Sequence, residues 1–207
     1  MSQRTKGLYK LTQLSKFYVN FQGLLGAPGG IRKLALDYVL PRKPSRVLDL
    51  GCGPAKILQH IPDAHYTGID SNPDHIEAAK AEFGERGEFI CGDFAEVGDS
   101  TDGTFDVALC FGFFHHLDDQ RVVEICELVS GFLGDGGWMI AVDPTFIDRQ
   151  HPVARAMAKA DSGKHVRRPA QYEALARSVF GDVSVEVRHD ILRIPYNHCV
   201  TIAQKPS

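Results

Sequence analysis

The sequence predicts an α/β protein built on a doubly wound, mixed sheet with helices on both faces, and three observations predict it. Short apolar runs alternate with helical patterns from Arg46 to Val142, the rhythm of parallel strands joined by crossover helices. The first run, Val47-Leu48-Asp49-Leu50, breaks into Gly51-Cys52-Gly53-Pro54, a turn in which two residues without a Cβ let the backbone approach a ligand. Near the C-terminal end, the runs Val183–His189 and Asn197–Ala203 are joined too closely to be anything but antiparallel neighbours.

Taken in order, residues 1–27 carry apolar side chains at spacings of three and four, from Leu8 to Leu25, which predicts one or two amphipathic helices. They either cap the ligand edge of the sheet or cover one of its faces, and residues 1–40 are treated as a helical cap segment. Pro28-Gly29-Gly30 breaks the pattern, and a helix from Ile31 to Leu40 follows. Pro41 and Pro44 end it before the first strand. After the glycine turn, Pro54 suits the first position of a helix running to Ile61. The second strand, His65–Ile69, ends in Asp70, and Asn72-Pro73 supplies an N-cap and a first helical residue for a helix to Phe83.

Asp70 follows Gly51 by 19 residues, about the spacing at which an acidic residue reaches ribose hydroxyls in nucleotide-binding βαβ units. The plainer reading is that it only caps the next helix. The third strand, Glu88–Cys91, runs into Gly92-Asp93-Phe94, where a carboxylate and an aromatic face suit an adenine ring. The fourth strand is Phe105–Phe111, followed by Gly112 and Phe113-Phe114-His115-His116-Leu117. Asp118 or Asp119 caps the next helix, and Gly134-Asp135-Gly136-Gly137 turns into a fifth strand, Trp138–Val142. Residues 144–180 form a helical insertion expected to line a second pocket, with helices near Pro152–Ala160 and from Pro169 to Phe180.

A chain of 207 residues, 43% hydrophobic and 24% charged, suits one globular domain. Its net charge of −3 argues against a duplex-binding surface, and no apolar run approaches the roughly 18–20 residues that span a membrane. Met1–Lys10 has no apolar signal core. Cys52, Cys91, Cys110, Cys126 and Cys199 include no Cys-x-x-Cys pair, which reads as reduced core thiols in a cytoplasmic protein.

These motifs together resemble the class I S-adenosylmethionine-dependent methyltransferases, in the manner of small stand-alone bacterial members. The likeness covers roughly residues 31–204 and rests on Val47 to Pro54, Asp70, Gly92-Asp93-Phe94, Phe105-Asp106-Val107-Ala108 with His115-His116-Leu117, and Gly136-Gly137-Trp138-Met139-Ile140. The resemblance implies a Rossmann-like, seven-stranded sheet whose last strand is antiparallel. It implies S-adenosylmethionine as cofactor, with S-adenosylhomocysteine as product, and a small-molecule acceptor. Asp49, Gly51 and Gly53 would cradle the methionine part, with Cys52 in the turn. Asp70, beside Ser71, would hold the ribose. Asp93 and Phe94 would hold the adenine, and Phe111 and Gly112 would lend backbone groups near the methionine amine. The family's third glycine is Ala55 here, small enough for close packing.

A nicotinamide-dependent oxidoreductase is the alternative. Its turn needs a small sixth residue, which here is Lys56, and Pro54 removes an N–H that a pyrophosphate would use. A non-catalytic scaffold is a third reading, against which Asp49, Asp70 and Asp93 speak. If the acceptor needs a base, His151 or His116 is the expected one; His115 and His116 are otherwise turn-shaping, while His189 and His198 belong to the hairpin. Lys164, His165, Arg167 and Arg168 form either a solvated loop or a patch for an anionic acceptor. Asp143, His151, His189 and His198 have no metal-ligand spacing, so no metal is expected. No segment suited to an extruded nucleobase is present. A monomer or a homodimer fits equally.

Overall fold

The computed structural model describes residues 27–93, 104–161 and 163–206. The helices expected over residues 1–26, together with Phe94, lie outside the described residues. Seven strands form one sheet: β1 (Arg46–Leu50), β2 (His65–Asp70), β3 (Gly87–Cys91), β4 (Phe105–Phe111), β5 (Leu133–Pro144), β6 (Asp182–Arg188) and β7 (His198–Gln204). Their order is β3-β2-β1-β4-β5-β7-β6. The pairs among β1 to β5 are parallel, and β7 runs antiparallel to both β5 and β6. Around the sheet lie α1 (Ala27–Leu34), α2 (Pro73–Phe83), α3 (Asp119–Phe132), α4 (Pro152–Ala160) and α5 (Pro169–Arg177).

The central strands read as continuous apolar runs because both faces are covered. Alternate side chains leave by opposite faces. Leu48, Leu50, Ala108, Cys110, Met139 and Ala141 pack with Val122, Ile125 and Val129 of α3 and Tyr172 and Ala176 of α5. Val47, Val107, Leu109, Ile140 and Val142 pack on the other face with Leu34 of α1 and Ile76 and Ala79 of α2. The chain winds outward from β1 in one direction and from β4 in the other. The carboxyl ends of these two neighbours therefore open a crevice, the place where such sheets bind ligands.

Several boundaries fall where the residues predict them. The Asn72 side chain accepts the Asp74 N–H at 3.0 Å to start α2, and Asp118 accepts the Arg121 N–H at 2.9 Å to start α3. Others differ for physical reasons. Pro28-Gly29-Gly30 does not break the first helix but forms its first turn, where a missing N–H costs nothing. The helix continues past Leu34 through a widened turn, Ala35–Val39, and a tight one, Leu40–Arg42, closed by Lys43 in the left-handed region. β5 starts at Leu133 rather than Trp138, because Leu133 pairs with Phe105 and the four residues after it are taken up in a bulge. Of the cysteines, Cys110, Cys126 and Cys199 are core thiols, whereas Cys91 is exposed. Among the described residues, no helix is long and apolar enough to cross a membrane.

Helix α1 is fastened to the far edge of the sheet. The Arg188 guanidinium of β6 donates to Asp37 at 2.8 Å and to the Tyr38 hydroxyl at 2.8 Å, and Lys33 pairs with Asp190 at 2.9 Å. The β6–β7 connection presses on the same helix: a Cβ at Gly30 would lie 2.3 Å from the Ile191 carbonyl oxygen and 2.8 Å from its Cγ2. A glycine inside a helix usually gains about 1 kcal/mol on replacement by alanine. Here the added methyl meets backbone, and overpacking of this kind costs about 1–3 kcal/mol. Gly30→Ala is therefore expected to lower stability in urea denaturation; a gain would show that the helix does not approach Ile191 so closely.

Candidate functional site

The turn after β1 is built from three residues in the left-handed region, Gly51 (φ 70°), Gly53 (φ 54°) and Ala55 (φ 52°). The Gly51 and Cys52 N–H groups donate to the Ile69 carbonyl at 2.8 and 3.1 Å, which anchors the turn to the end of β2. Pro54 does not open an α-helix, contrary to the expectation from its sequence position. Ala55 follows with positive φ, and only a short 3-10 segment, Lys56–His60, comes after it. Ala55 is fully buried and is not a mere packing substitute for glycine, since a left-handed alanine is strained by roughly 1–2 kcal/mol. A Cβ at Gly53 would meet nothing within 4 Å, whereas one at Gly51 would lie 3.2 Å from the Phe113 ring. The turn is thus open over Gly53 and covered over Gly51.

Two carboxylates flank this turn. Asp70 accepts the Gly53 N–H at 2.8 Å and the Asn72 N–H at 2.8 Å, and its Oδ1 lies 3.4 Å from His75 Nδ1. Burial raises the Asp70 pKa, but His75 and the two amides outweigh it and hold the carboxyl below its usual value. Asp49 is 4% exposed, and its Oδ2 accepts the Tyr66 hydroxyl at 2.6 Å. Burial pushes the Asp49 carboxyl up to about 7; the Tyr66 hydroxyl pulls against this and the Asp70 charge adds to it. Burial also drives the Cys52 thiol well above its ordinary value, so Cys52 contributes backbone rather than a thiolate.

A second cluster lies beyond β4. His115, 3% exposed, holds Asp143 Oδ1 with its Nδ1 at 2.8 Å and with its backbone N–H at 3.0 Å. Its Nε2 lies 3.3 Å from Asp161 Oδ1, a close ionic contact without an aligned hydrogen bond. Burial alone would depress this imidazole, but the two carboxylates raise it to about 9. Asp161 in turn accepts the Gly163 N–H at 2.8 Å and the Tyr196 hydroxyl at 3.1 Å. The sequence gives His115 only a turn-shaping role. It does shape the turn, and its carboxylate partners, 28 and 46 residues further on, could not be read from local spacing. His198 at the start of β7 is held neutral, at about 4, by burial and then by the His115 charge.

The other expected site residues are scattered. Gly112 (φ 67°) turns the chain out of β4, and its N–H donates to the Val142 carbonyl at 2.7 Å. Asp93 is exposed, 3.7 Å from Arg121 Nη2, and Ser71 is exposed beside Asp70. His116 is exposed and stacks on His115 at 4.0 Å. Burial against that ring and the His115 charge keep it below its ordinary pKa. His151 is exposed and accepts the Val153 N–H at 3.2 Å, so it caps α4, and no contact among the described residues joins it to the turn. His189 is bonded to Asn197 at 2.7 Å. Arg167 belongs to no solvated patch. It is 5% exposed, because a bridge to Thr145 draws it beside β5. Its guanidinium donates to the Phe114, His165 and Leu117 carbonyls and to Asp119 at 2.6–3.1 Å.

A doubly wound sheet with this strand order defines a Rossmann-like fold, with the glycine turn and its two carboxylates at the switch point. Residues 47–137, somewhat less than half of the chain, match the family model described as a methyltransferase domain. A curated relative, trans-aconitate 2-methyltransferase from Streptomyces avermitilis, is 44% identical over 46 residues, a stretch that is 20% of this chain and 17% of that protein. The fold is shared with a SAM-dependent methyltransferase from Archaeoglobus fulgidus at a TM-score of 0.72 and 20% identity, over 91% of this chain and all of that one. It is also shared with the plantazolicin methyltransferase BamL, in complex with a substrate analogue and S-adenosylhomocysteine, at 0.70 and 18%, over 92% and 90% of the two chains.

The His115 proton makes stability depend on pH. Its folded pKa of about 9 lies above that of an unfolded imidazole, about 6.5. The stabilisation is therefore complete below pH 6.5 and is lost as pH rises through 9, with a size on the order of 3 kcal/mol. The melting temperature of the native protein is expected to fall across this window more steeply than that of His115→Gln. Parallel curves would show that His115 titrates alike in the folded and unfolded chains.

Proposed function

We propose that this protein is an S-adenosylmethionine-dependent methyltransferase acting on a small-molecule acceptor. The observation that carries the reading is the turn Gly51–Ala55, open over Gly53, held by Asp70 and preceded by the buried Asp49 at the end of β1. Asp49 has one oxygen bonded to Tyr66 and no hydrogen bond to the other among the described residues, so it can accept from an ammonium group. Asp70 and Ser71 hold the ribose, and Asp93 borders the adenine. Gly53, Phe111 and Gly112 supply backbone, with Cys52 beside them. The bound cofactor supplies an electrophilic methyl on a sulfonium, and this chain's part is to position the acceptor in line with it. Two nearby carboxylates suit a ligand that carries positive charge.

The names of the similar proteins support the reading, since they include SAM-dependent methyltransferases and one that acts on trans-aconitate. A nicotinamide dinucleotide fits poorly. The short 3-10 segment after the turn offers no helix N-terminus to a pyrophosphate. For an acceptor that must lose a proton, His116 is a better base than His151, whose Nδ1 is taken by the α4 cap. The free thiols suit a reducing, cytoplasmic setting.

Calorimetric titration tests this. Saturable binding of S-adenosylmethionine and S-adenosylhomocysteine, and none of NADH, is expected. Asp70→Asn is expected to weaken both by about tenfold or more, the effect of losing a charged hydrogen-bond acceptor. Binding of NADH alone would overturn the reading, and undiminished binding by Asp70→Asn would remove that residue from the site.

A further inference from the structure

We infer that the cavity between α4 and residues 163–166 is a subsite for a carboxylate group of the acceptor. The inference rests on the methyltransferase reading above. The cavity holds about 310 Å³, and Phe146, Lys159, Asp161, Gly163, Lys164 and Val166 line it, a volume at the small end of ligand sites. It adjoins the β4 edge through shared residues. Asp161 contacts His115 at 3.3 Å, and Gly163 lies so close that a Cβ there would be 2.1 Å from the His115 ring.

The charges of the lining favour an anion. Asp161 accepts from the Gly163 N–H and the Tyr196 hydroxyl, and it shares the buried His115 imidazole with Asp143. Lys159 and Lys164 are exposed, and neither has an ion-pair partner among the described residues. The two cationic groups at the rim outnumber the cavity's one carboxylate and suit an anion.

Citrate serves as the probe, with its neutral trimethyl ester and inorganic phosphate as controls, titrated into the full chain saturated with S-adenosylhomocysteine. Citrate is expected to bind, the ester and phosphate to bind at least tenfold more weakly, and the Lys159→Gln/Lys164→Gln double variant to lose about tenfold in citrate affinity. That loss is the combined effect of two solvent-accessible ion pairs at the strong end of their range. S-adenosylhomocysteine affinity should be unchanged in the variant. No citrate binding, equal binding of phosphate or the ester, or equal citrate binding by the double variant would each overturn the subsite. S-adenosylhomocysteine is titrated first on the same sample, so its failure to bind refutes the methyltransferase reading separately.

Discussion

The Asp70 carboxylate is the constraint on which the rest of the site depends. One of its oxygens accepts the Gly53 N–H of the turn after β1, and the other accepts the Asn72 N–H at the start of α2. A single side chain therefore fixes the glycine turn against the end of β2 and against the next helix. The arrangement needs the carboxylate ionised, and His75 with the two amides keeps it so against the effect of burial. Asp49, one strand away, is the opposite case. It is buried, bonded to Tyr66, and pushed up to about 7 by burial. Two carboxylates in contact with one turn thus differ in acidity because one is surrounded by amide donors and the other mainly by apolar core.

On the other side of the switch point, β4, β5 and the segment after α4 are fastened by a different device. His115 and Arg167 are buried cations. His115 joins Asp143 at the end of β5 to Asp161, and Arg167 gathers the Phe114 and Leu117 carbonyls together with Asp119. Buried charges persist only when they are paired and fully hydrogen-bonded, which is why so many carbonyls converge on Arg167. The β1–β2 side of the crevice is held by backbone amides and carboxylates, and the β4–β5 side by buried cations. Gly163 packs against His115, whereas Lys164 beside it faces solvent.

Much of the fold was legible because it follows from local chemistry. Apolar strands covered on both faces, the Asn72-Pro73 and Asp118 caps, and the short β6–β7 connection each dictate structure within a few residues. The number of strands, seven with the last antiparallel, came from the family resemblance, and their order from the structure. Glycine and proline were misjudged where tertiary context decides. Gly30 stays in a helix because Ile191 presses on it, and Pro54 precedes a left-handed Ala55 instead of a helix. At the site, Asp49, Gly51, Gly53 and Asp70 converge because β1 and β2 are adjacent and in register. The partners Tyr66, His75 and Asp161 were not legible, because a hydrogen bond between distant segments leaves no periodic mark. Arg167 was misplaced on the surface for the same reason: a charged residue in a polar loop gives no sign that a bridge to Thr145 will bury it.

The most direct test of the account is an amide-resolved NMR titration of the isotope-labelled chain with S-adenosylhomocysteine. If the turn between Asp49 and Asp70 is the cofactor cradle, the amides of Gly51, Cys52, Gly53 and Ala55 should shift and saturate together with those of Asp70 and Ser71. The amides of α5 and β6 should stay in place. Saturable binding that leaves the glycine turn unperturbed would contradict the account, whatever site the ligand had found.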